Sequence, residues 1–556
     1  MGKKLIEVAP FLPLDAISVA SKADKDKKTG TIKNVHKWFA PMPTPALRAL
    51  IFAAVVDAPE DEGERRRLLE LVERLVPENG NPPDAKVLEE ARDEIRASNG
   101  DELPTVFDPF CGGGSTLIEA QRLGLPAMGS DLNPVPVLIT RTLTQLVPQA
   151  AGRPALVGDT GTLGPAFSGT FSGLFADVQH YAEQVRAEVW DQVGHLYPKG
   201  PNGGTVIAWL WAWTTRCSNP VCGATMPLVT SMWLSKKRGD PQALVAQASG
   251  DHVEFAVGQE PVPAKGVVTR TGATCLVCGQ PTPLGDIRES TKETPLGRQL
   301  LCVVADGVGG RTYLAADEVT VPEPDEPGDL DIALPKKALG FRVQGYGMTL
   351  QRDLYTDRQL VMLEAFAEAV AGVPERVRTD GGDDVYAATV TSILGLALGK
   401  LAQSNSTQVR WRLRDVNSKA EPAFGRHAMP MVWDFAETNP FGATVGDWSA
   451  QVSSIMAGLA SLPVSELPST VRRADARTTA TQLDTPVVIV TDPPYFDQIG
   501  YADLSDFFYV WHRKALRKVH PDLYGTIVTP KDDELIATPY RHEGDNESGL
   551  ELLTAR

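Results

Sequence analysis

The stretch Val487-Val488-Ile489-Val490-Thr491-Asp492-Pro493-Pro494-Tyr495 runs from four apolar residues into a carboxylate, two prolines and an aromatic ring. A buried strand ending here delivers Asp492, Pro493, Pro494 and Tyr495 to one loop. These residue types suit the activation of an exocyclic amine, whose lone pair is shared with its ring and is a poor nucleophile as it stands. The Asp492 carboxylate and the Pro493 carbonyl can both accept hydrogen bonds from such an amine, which localises the lone pair and stabilises the developing positive charge. The two prolines stiffen the loop that holds these acceptors. Tyr495 offers a ring face to a base drawn out of its stack. A plain Pro-rich turn with a packed Tyr is the competing reading of the tetrapeptide alone.

A second motif lies far upstream. Thr105-Val106-Phe107-Asp108-Pro109-Phe110-Cys111-Gly112-Gly113-Gly114-Ser115-Thr116 reads as a strand, a glycine turn and a helix start, with Gly124 as the helix stop. Successive glycines let backbone approach a ligand, and the following helix points free N–H groups at the same place. Ala127-Met128-Gly129-Ser130-Asp131 then reads as a short strand ending in an acid placed for ribose hydroxyls. Its spacing from the turn is near the roughly 20 residues of a nucleotide-binding βαβ unit. The third glycine of the dinucleotide pattern is missing, since Leu117 stands at that position. Cys111 reads as a small packing residue near the ligand.

With both motifs in hand, the chain resembles the amino-group DNA methyltransferases, whose S-adenosylmethionine loop reads Asp-Pro-Phe-x-Gly-Ser-Gly-Thr and whose catalytic loop reads Asp-Pro-Pro-Tyr. Gly113 and Ser115 stand where that family usually has Ser and Thr. The resemblance implies a cofactor site at Asp108, Pro109, Phe110, Gly112, Gly114 and Asp131. More than 300 residues separate the two loops, too many for one sheet, so an insertion is expected.

The cysteines describe part of that insertion. Cys217 and Cys222, then Cys275 and Cys278, form two close pairs, each followed by glycine, which is the spacing of a four-cysteine zinc ribbon. Disulfides of a secreted protein are the alternative, and no signal peptide supports them. Trp209, Trp211 and Trp213 alternate along one face of a predicted strand, as core or as a stacking surface. Lys236, Lys237 and Arg238 form the clearest basic cluster near the ribbon and are candidates for phosphate contact, against a solvated hairpin tip. Arg410-Trp411-Arg412-Leu413-Arg414 reads as a half-buried strand with a charged outer face, or as a groove lining.

The early segment Val35-His36-Lys37-Trp38-Phe39-Ala40-Pro41-Met42-Pro43 narrows the resemblance to prokaryotic adenine-specific DNA methylases with a zinc ribbon and an N-terminal domain of the DUF1156 type. Further matching patches include Thr356-Asp357-Arg358-Gln359-Leu360, Met429 to Phe435, Glu437 to Phe441 and Tyr501 to Trp511. That family often has two arginines where this chain has Pro41-Met42. The resemblance implies that His36 and Trp38 help close over the methionine end of the cofactor. It further implies adenine N6 methylation of double-stranded DNA, with cytosine N4 methylation or a zinc-containing DNA-binding subunit without turnover as alternatives. A nuclease or other defence-system subunit is a further partner it leaves open. The family normally continues past residue 556, so part of the base-binding wall is expected to be missing.

The fold class expected is α/β, a Rossmann-like S-adenosylmethionine-dependent methyltransferase sheet with an inserted β-rich zinc ribbon and additional helices. Six regions follow: 1–95 N-terminal helices, 96–200 the cofactor half of the sheet, 201–320 the ribbon, 321–340 an acidic Pro-rich linker, 341–480 a helical mixed region, and 481–556 the catalytic-loop half. Apolar content of 42% suits a chain of several packed domains, and the reading finds no apolar run able to cross a bilayer. Few cysteines outside the ribbon suit a reducing cytoplasm. The net charge of −16 argues against DNA binding as an average, but only local positive charge is needed.

Overall fold

The computed structural model describes residues 3–100, 102–259, 265–307, 310–465, 467, 469–479, 483, 487–495 and 498–541. The chain forms two compact units, the first from Met1–Ala182, Val370–Leu396 and Val452–Arg556 and the second from Glu183–Ala369 and Ala397–Gln451.

In the first unit, Val487–Ile489 forms a strand and pairs in parallel with Thr105–Asp108, but it is not the buried strand expected. Among the described residues it lies at the edge of the sheet, with Val487 and Val488 half-buried and Ile489 56% exposed. Thr105–Asp108 pairs on its other side with Ala127–Asp131, and that strand with Ser469–Arg473, again in parallel. By chain position the order across the sheet is third, second, first, fourth. The order therefore reverses between the Thr105 and Val487 strands. Open parallel sheets bind ligands beyond the carboxyl ends of their strands at such a reversal, and both motif loops leave the sheet there.

Helix Ser115–Arg122 follows the glycine turn and is buried along its whole length. It stops as its sequence requires, with Gly124 at φ +74° donating its N–H to the Gln121 carbonyl. Four helices precede the sheet, Leu14–Asp26, Thr44–Val55, Glu62–Leu75 and Ala85–Asn99. Asp61 and Asp84 cap the last two, each accepting backbone N–H bonds from the first turn. The charge run on Glu62–Leu75 is a solvated face, while Leu68, Leu71, Val72 and Leu75 point inward. Arg48 of the Thr44–Val55 helix is fully buried, bonded to Glu119 at 2.6 Å and to the Leu75 carbonyl at 2.7 Å. Arg122 meets the same carboxylate at 3.2 Å. Burial alone would raise the Glu119 pKa, and the two guanidiniums outweigh it and hold the carboxyl below its usual range. Removing one member of such a buried set costs about 3–5 kcal/mol.

The second unit is built on Thr205–Arg216. This strand pairs antiparallel with Gly297–Gly307, Asp434–Thr438 and the short Thr225–Pro227, and Gly310–Ala315 extends the sheet beyond Gly297–Gly307. Trp233–Ser235, Gln242–Ser249 and His252–Gly258 make a three-stranded antiparallel sheet, and two small hairpins join Gly272–Thr274 to Pro281–Pro283 and Arg410–Arg412 to Lys419–Glu421.

The compact units do not follow the six expected regions. Asp434–Thr438 completes the sheet of Thr205–Arg216, which draws much of 341–480 into the second unit. Nor is 321–340 a free linker, because Leu330 and Leu334 are buried and Ala333 bridges Leu350. One helix, Asp384–Ser404, is long and apolar enough to cross a bilayer, contrary to the reading from sequence, and most of its apolar stretch is buried inside the protein.

Candidate functional site

At the carboxyl ends of the parallel strands lies an open cleft with about 910 Å³ of empty space. It is lined by Asp108, Pro109, Phe110, Cys111, Gly112 and Gly113 from the first loop, by Asp131 from the second strand, and by Asp492 and Pro494 from the fourth. The two motifs thus meet, although 383 residues separate Thr491 from Asp108. Thr491 itself joins them, its hydroxyl donating to the Asp108 carboxylate at 2.7 Å. The Phe110 N–H reaches the same oxygen at 3.0 Å. Burial pushes the Asp108 pKa up, while these two hydrogen bonds pull against it.

Asp131 accepts the Gly112 N–H at 3.2 Å and the Asn133 N–H at 2.9 Å, which pins the glycine turn to the end of the second strand. Burial raises its pKa to about 7 despite both bonds. The turn needs glycine at two points for different reasons. Gly112, at φ +48°, has Trp38 Nε1 at 2.8 Å from where a Cβ would stand, and Gly114, at φ +84°, packs on Thr140. Cys111 is buried and its thiol is held well above the usual range by that burial, which keeps it a packing residue.

Trp38 roofs the turn and stacks on Tyr501 at 5.7 Å between ring centroids. Ala40 and Met42 continue the wall. His36 is absent from the cleft lining but lines a small adjoining pocket with Trp38, Gly113 and Ser115, and it is buried against Phe508 and His512 at 4.7 and 5.0 Å. Pro493 and Tyr495 also stand outside the lining. Tyr495 is 45% exposed, and its hydroxyl donates to Asp492 at 3.0 Å.

Sequence reasoning missed one wall altogether. Pro530, Asp533, Glu534 and Leu535 return to line the cleft, beside Asp475 from the segment after the third strand. Arg541 fastens this wall by bonding Glu534 at 2.5 Å and Asp503 at 2.9 Å, and Tyr540 adds a bond to Asp503 at 2.8 Å. Burial raises the Glu534 pKa to about 7 in spite of Arg541. Thr491 had a signal in its place one residue before Asp492, whereas nothing local marks Glu534. The lining contains Asp108, Asp131, Asp475, Asp492, Asp533 and Glu534, and among the described residues it contains no Lys, Arg or His.

In the second unit the four cysteines converge, their sulfurs all within 4.8 Å of one another. Cys217 and Cys278 are 3.7 Å apart and Cys222 and Cys275 4.0 Å. Tetrahedral coordination with bonds of about 2.3 Å requires sulfurs about 3.8 Å apart, so the set fits a metal ion with four thiolate ligands. The two knuckles share one construction. Cys217 donates its N–H to the Ala224 carbonyl at 2.8 Å, and Cys275 donates to Gln280 at 2.9 Å. Gly223 and Gly279 turn with φ of +56° and +74°, and an added Cβ would meet nothing within 4 Å at either. Glycine is therefore required there by backbone conformation and not by lack of space. The Gln280 N–H pulls the Cys278 thiol down to about 7, while burial pushes the neighbouring Cys217 thiol up to about 12.

The tryptophan stripe is core. Trp209 is fully buried under the Arg358 guanidinium at 4.0 Å, Trp211 donates to Glu437 at 2.8 Å, and Trp213 packs on Phe435 at 5.4 Å. Arg358 and Glu437 close the set with an ion pair of 2.8 Å. Lys236, Lys237 and Arg238 occupy an exposed turn, where Lys236 lies over Trp233 at 5.7 Å and Lys237 is 4.0 Å from Asp240. Arg410 and Arg412 point outward to Glu421, as the half-buried strand reading requires.

The family described as "Protein of unknown function (DUF1156)" matches residues 11–75, the stretch that holds the first three helices and the Trp38 to Met42 wall of the cleft. No curated protein and no solved structure matches the chain.

Proposed function

We propose that the cleft binds S-adenosylmethionine and that the protein methylates the exocyclic N6 amine of adenine in double-stranded DNA, with the target base flipped out of the duplex. The observation that carries this reading is the charge of the lining, six acidic side chains with no cation among them. Arg477 pairs with Asp475 and Asp533 and Arg541 with Glu534 from outside the lining, while among the described residues Asp108, Asp131 and Asp492 meet no guanidinium or ammonium group. A glycine turn opening a helix ordinarily suits phosphate, but the charged side chains that a nucleotide's phosphates would face in this lining are all acidic. A ligand bearing a sulfonium and an ammonium group has the opposite sign and fits. The reversed strand order supports taking the first unit as a Rossmann-like methyltransferase sheet.

When bound, this cofactor supplies an electrophilic methyl group on a positively charged sulfur. The protein's part is to hold and to orient. Asp131 accepts the ribose hydroxyls, the Gly112 to Gly114 backbone admits the ligand closely, and Trp38 covers the turn. Asp492 and the Pro493 carbonyl accept the two N–H bonds of the amine, which localises its lone pair towards the methyl group. The prolines keep both acceptors in place before the base arrives. Tyr495, tied to Asp492 through its hydroxyl, keeps an open ring face for the base. After transfer the amine releases its surplus proton to water, so no general base is required. The four cysteines hold zinc as a structural ion, since four thiolates leave no open coordination position.

Unmethylated DNA incubated with the purified full chain and methyl-labelled cofactor, then digested to nucleosides, tests this directly. Label in N6-methyladenine is expected. Label in N4-methylcytosine would move the reading to the cytosine amine, and cofactor binding without any transfer would leave only a DNA-binding role.

A further inference from the structure

On the second unit, helix Leu284–Ser290, the segment from Lys336 to Tyr346 and the pair Met431 and Trp433 enclose a groove with about 1140 Å³ of empty space. Arg288, Lys336, Lys337 and Arg342 line it, and no carboxylate does. All four are exposed, and among the described residues none forms an ion pair. Some other arginines of this unit are neutralised by carboxylates. Arg298, Arg311, Arg352, Arg358 and Arg410 each meet a carboxylate within 3.4 Å. Four unpaired cations facing one groove, in a chain of net charge −16, are a local reversal of sign.

The groove is also built. The Arg342 N–H donates to the Met429 carbonyl at 2.9 Å, and Met429 returns a bond to Gly340 at 3.2 Å, which fastens the cationic segment to the body of the unit. Tyr346 is buried beneath, edge-on to Trp433 at 4.7 Å, and the Arg288 guanidinium lies over the Tyr346 ring at 5.2 Å. An aromatic floor that steers a guanidinium while leaving its N–H groups free prepares it for a phosphate.

We propose that this groove docks the phosphodiester backbone of duplex DNA, with Arg288, Lys336, Lys337 and Arg342 as the phosphate contacts. The choice of DNA among polyanions rests on the methyl-transfer reading, and the charge complementarity stands without it. The Lys236 to Arg238 turn is the weaker candidate, because Lys237 already has Asp240 beside it.

Each phosphate neutralised releases counterions, so affinity falls with salt at a slope of about −0.9 per contact. The test is fluorescence anisotropy of a labelled DNA duplex with the full chain, without cofactor, over a range of salt. Lys336→Ala with Lys337→Ala should weaken binding roughly thirtyfold at about 0.15 M salt and reduce the slope by about 2. Arg288→Ala with Arg342→Ala should do the same, while Lys336→Arg with Lys337→Arg should bind as the parent does. The lysines are exposed and Arg288 packs only on the Tyr346 ring, so an unchanged melting temperature verifies that the fold is intact.

Unaltered affinity and slope in both double variants would overturn the proposal. So would a comparable loss in Lys236→Ala, Lys237→Ala, Arg238→Ala with the groove variants intact, or a parent chain that binds an acidic peptide and no DNA. A methyl-transfer assay on the parent separates the two claims. Groove-dependent DNA binding without methylation removes the enzymatic reading alone, and methylation with groove-independent binding removes the groove alone.

Discussion

The cleft over the parallel sheet and the groove beside Tyr346 are opposites in charge. One has six carboxylates and no cation in its lining, and the other has four cations and no carboxylate. A net charge of −16 describes neither. The difference teaches that a whole-chain average reports on solubility, while partners are selected by which groups the fold gathers on one surface. It also separates two kinds of dependence. The cleft is assembled from distant stretches of one sheet, whereas the second unit draws on cysteine pairs whose members are close in sequence.

The largest effect that could break this contrast is loss of the metal. Cys275→Ser with Cys278→Ser, or a strong chelator, should unfold the knuckles, since structural zinc contributes on the order of 10 kcal/mol. Metal analysis together with proteolysis would show cleavage concentrated in 217–280, with cofactor affinity of the first unit retained. Loss of both together would mean that the two sites are not separable.

Next in size is Asp492→Ala. Removing the acceptor for the amine should lower methyl transfer about a thousandfold while cofactor affinity, read by calorimetry, stays within a small factor of the parent. A parallel loss of cofactor binding would make Asp492 a ligand contact and not an amine acceptor.

Gly112→Ala should cost less. The substitution forces a side chain into φ +48° and brings a Cβ to 2.8 Å from Trp38 Nε1, so cofactor affinity should fall by about 1–3 kcal/mol. DNA affinity should not change.

The smallest effect is a pH dependence. Burial favours the protonated form of Asp131, with its pKa at about 7, while the carboxylate is the form that would accept ribose hydroxyls in the proposed complex. Binding therefore releases a proton, and cofactor affinity should rise as pH increases through 7 and then level off. Asp131→Asn should flatten that rise. Persistence of the slope in this variant would assign it to Glu534, whose pKa is also about 7 and which faces the same cleft.

How much of this was legible follows from distance along the chain. The strand before Asp492, the glycine turn and the cysteine pairs are each written within a dozen residues, and the structure forms all three. The carboxylate lining was not legible, because Asp475, Asp533 and Glu534 have no local pattern and acquire their meaning only when Arg477, Arg541 and the parallel strands place them. The tryptophan stripe shows the same limit from the other side. Its period of two predicts a strand, but whether Trp209 stacks on a base or on Arg358 depends on a residue 149 positions away (358 − 209). The segment 321–340 looked like a linker because Pro and acids dominate it. Leu330, Leu334 and the Lys336-Lys337 pair decide its role, and they are few enough to be lost in the average.

The pairing of Thr105–Asp108 with Val487–Ile489 has a consequence for biosynthesis. During translation the first strand emerges long before its neighbour exists, and at roughly 5–20 residues per second the wait lasts tens of seconds. Throughout that interval Val106 and Phe107, fully buried in the finished protein, lack one flank of their sheet. The nascent chain thus carries an exposed apolar edge for most of its synthesis, which makes yield at high expression temperature sensitive to chaperone supply in a way that the stability of the completed fold does not reveal.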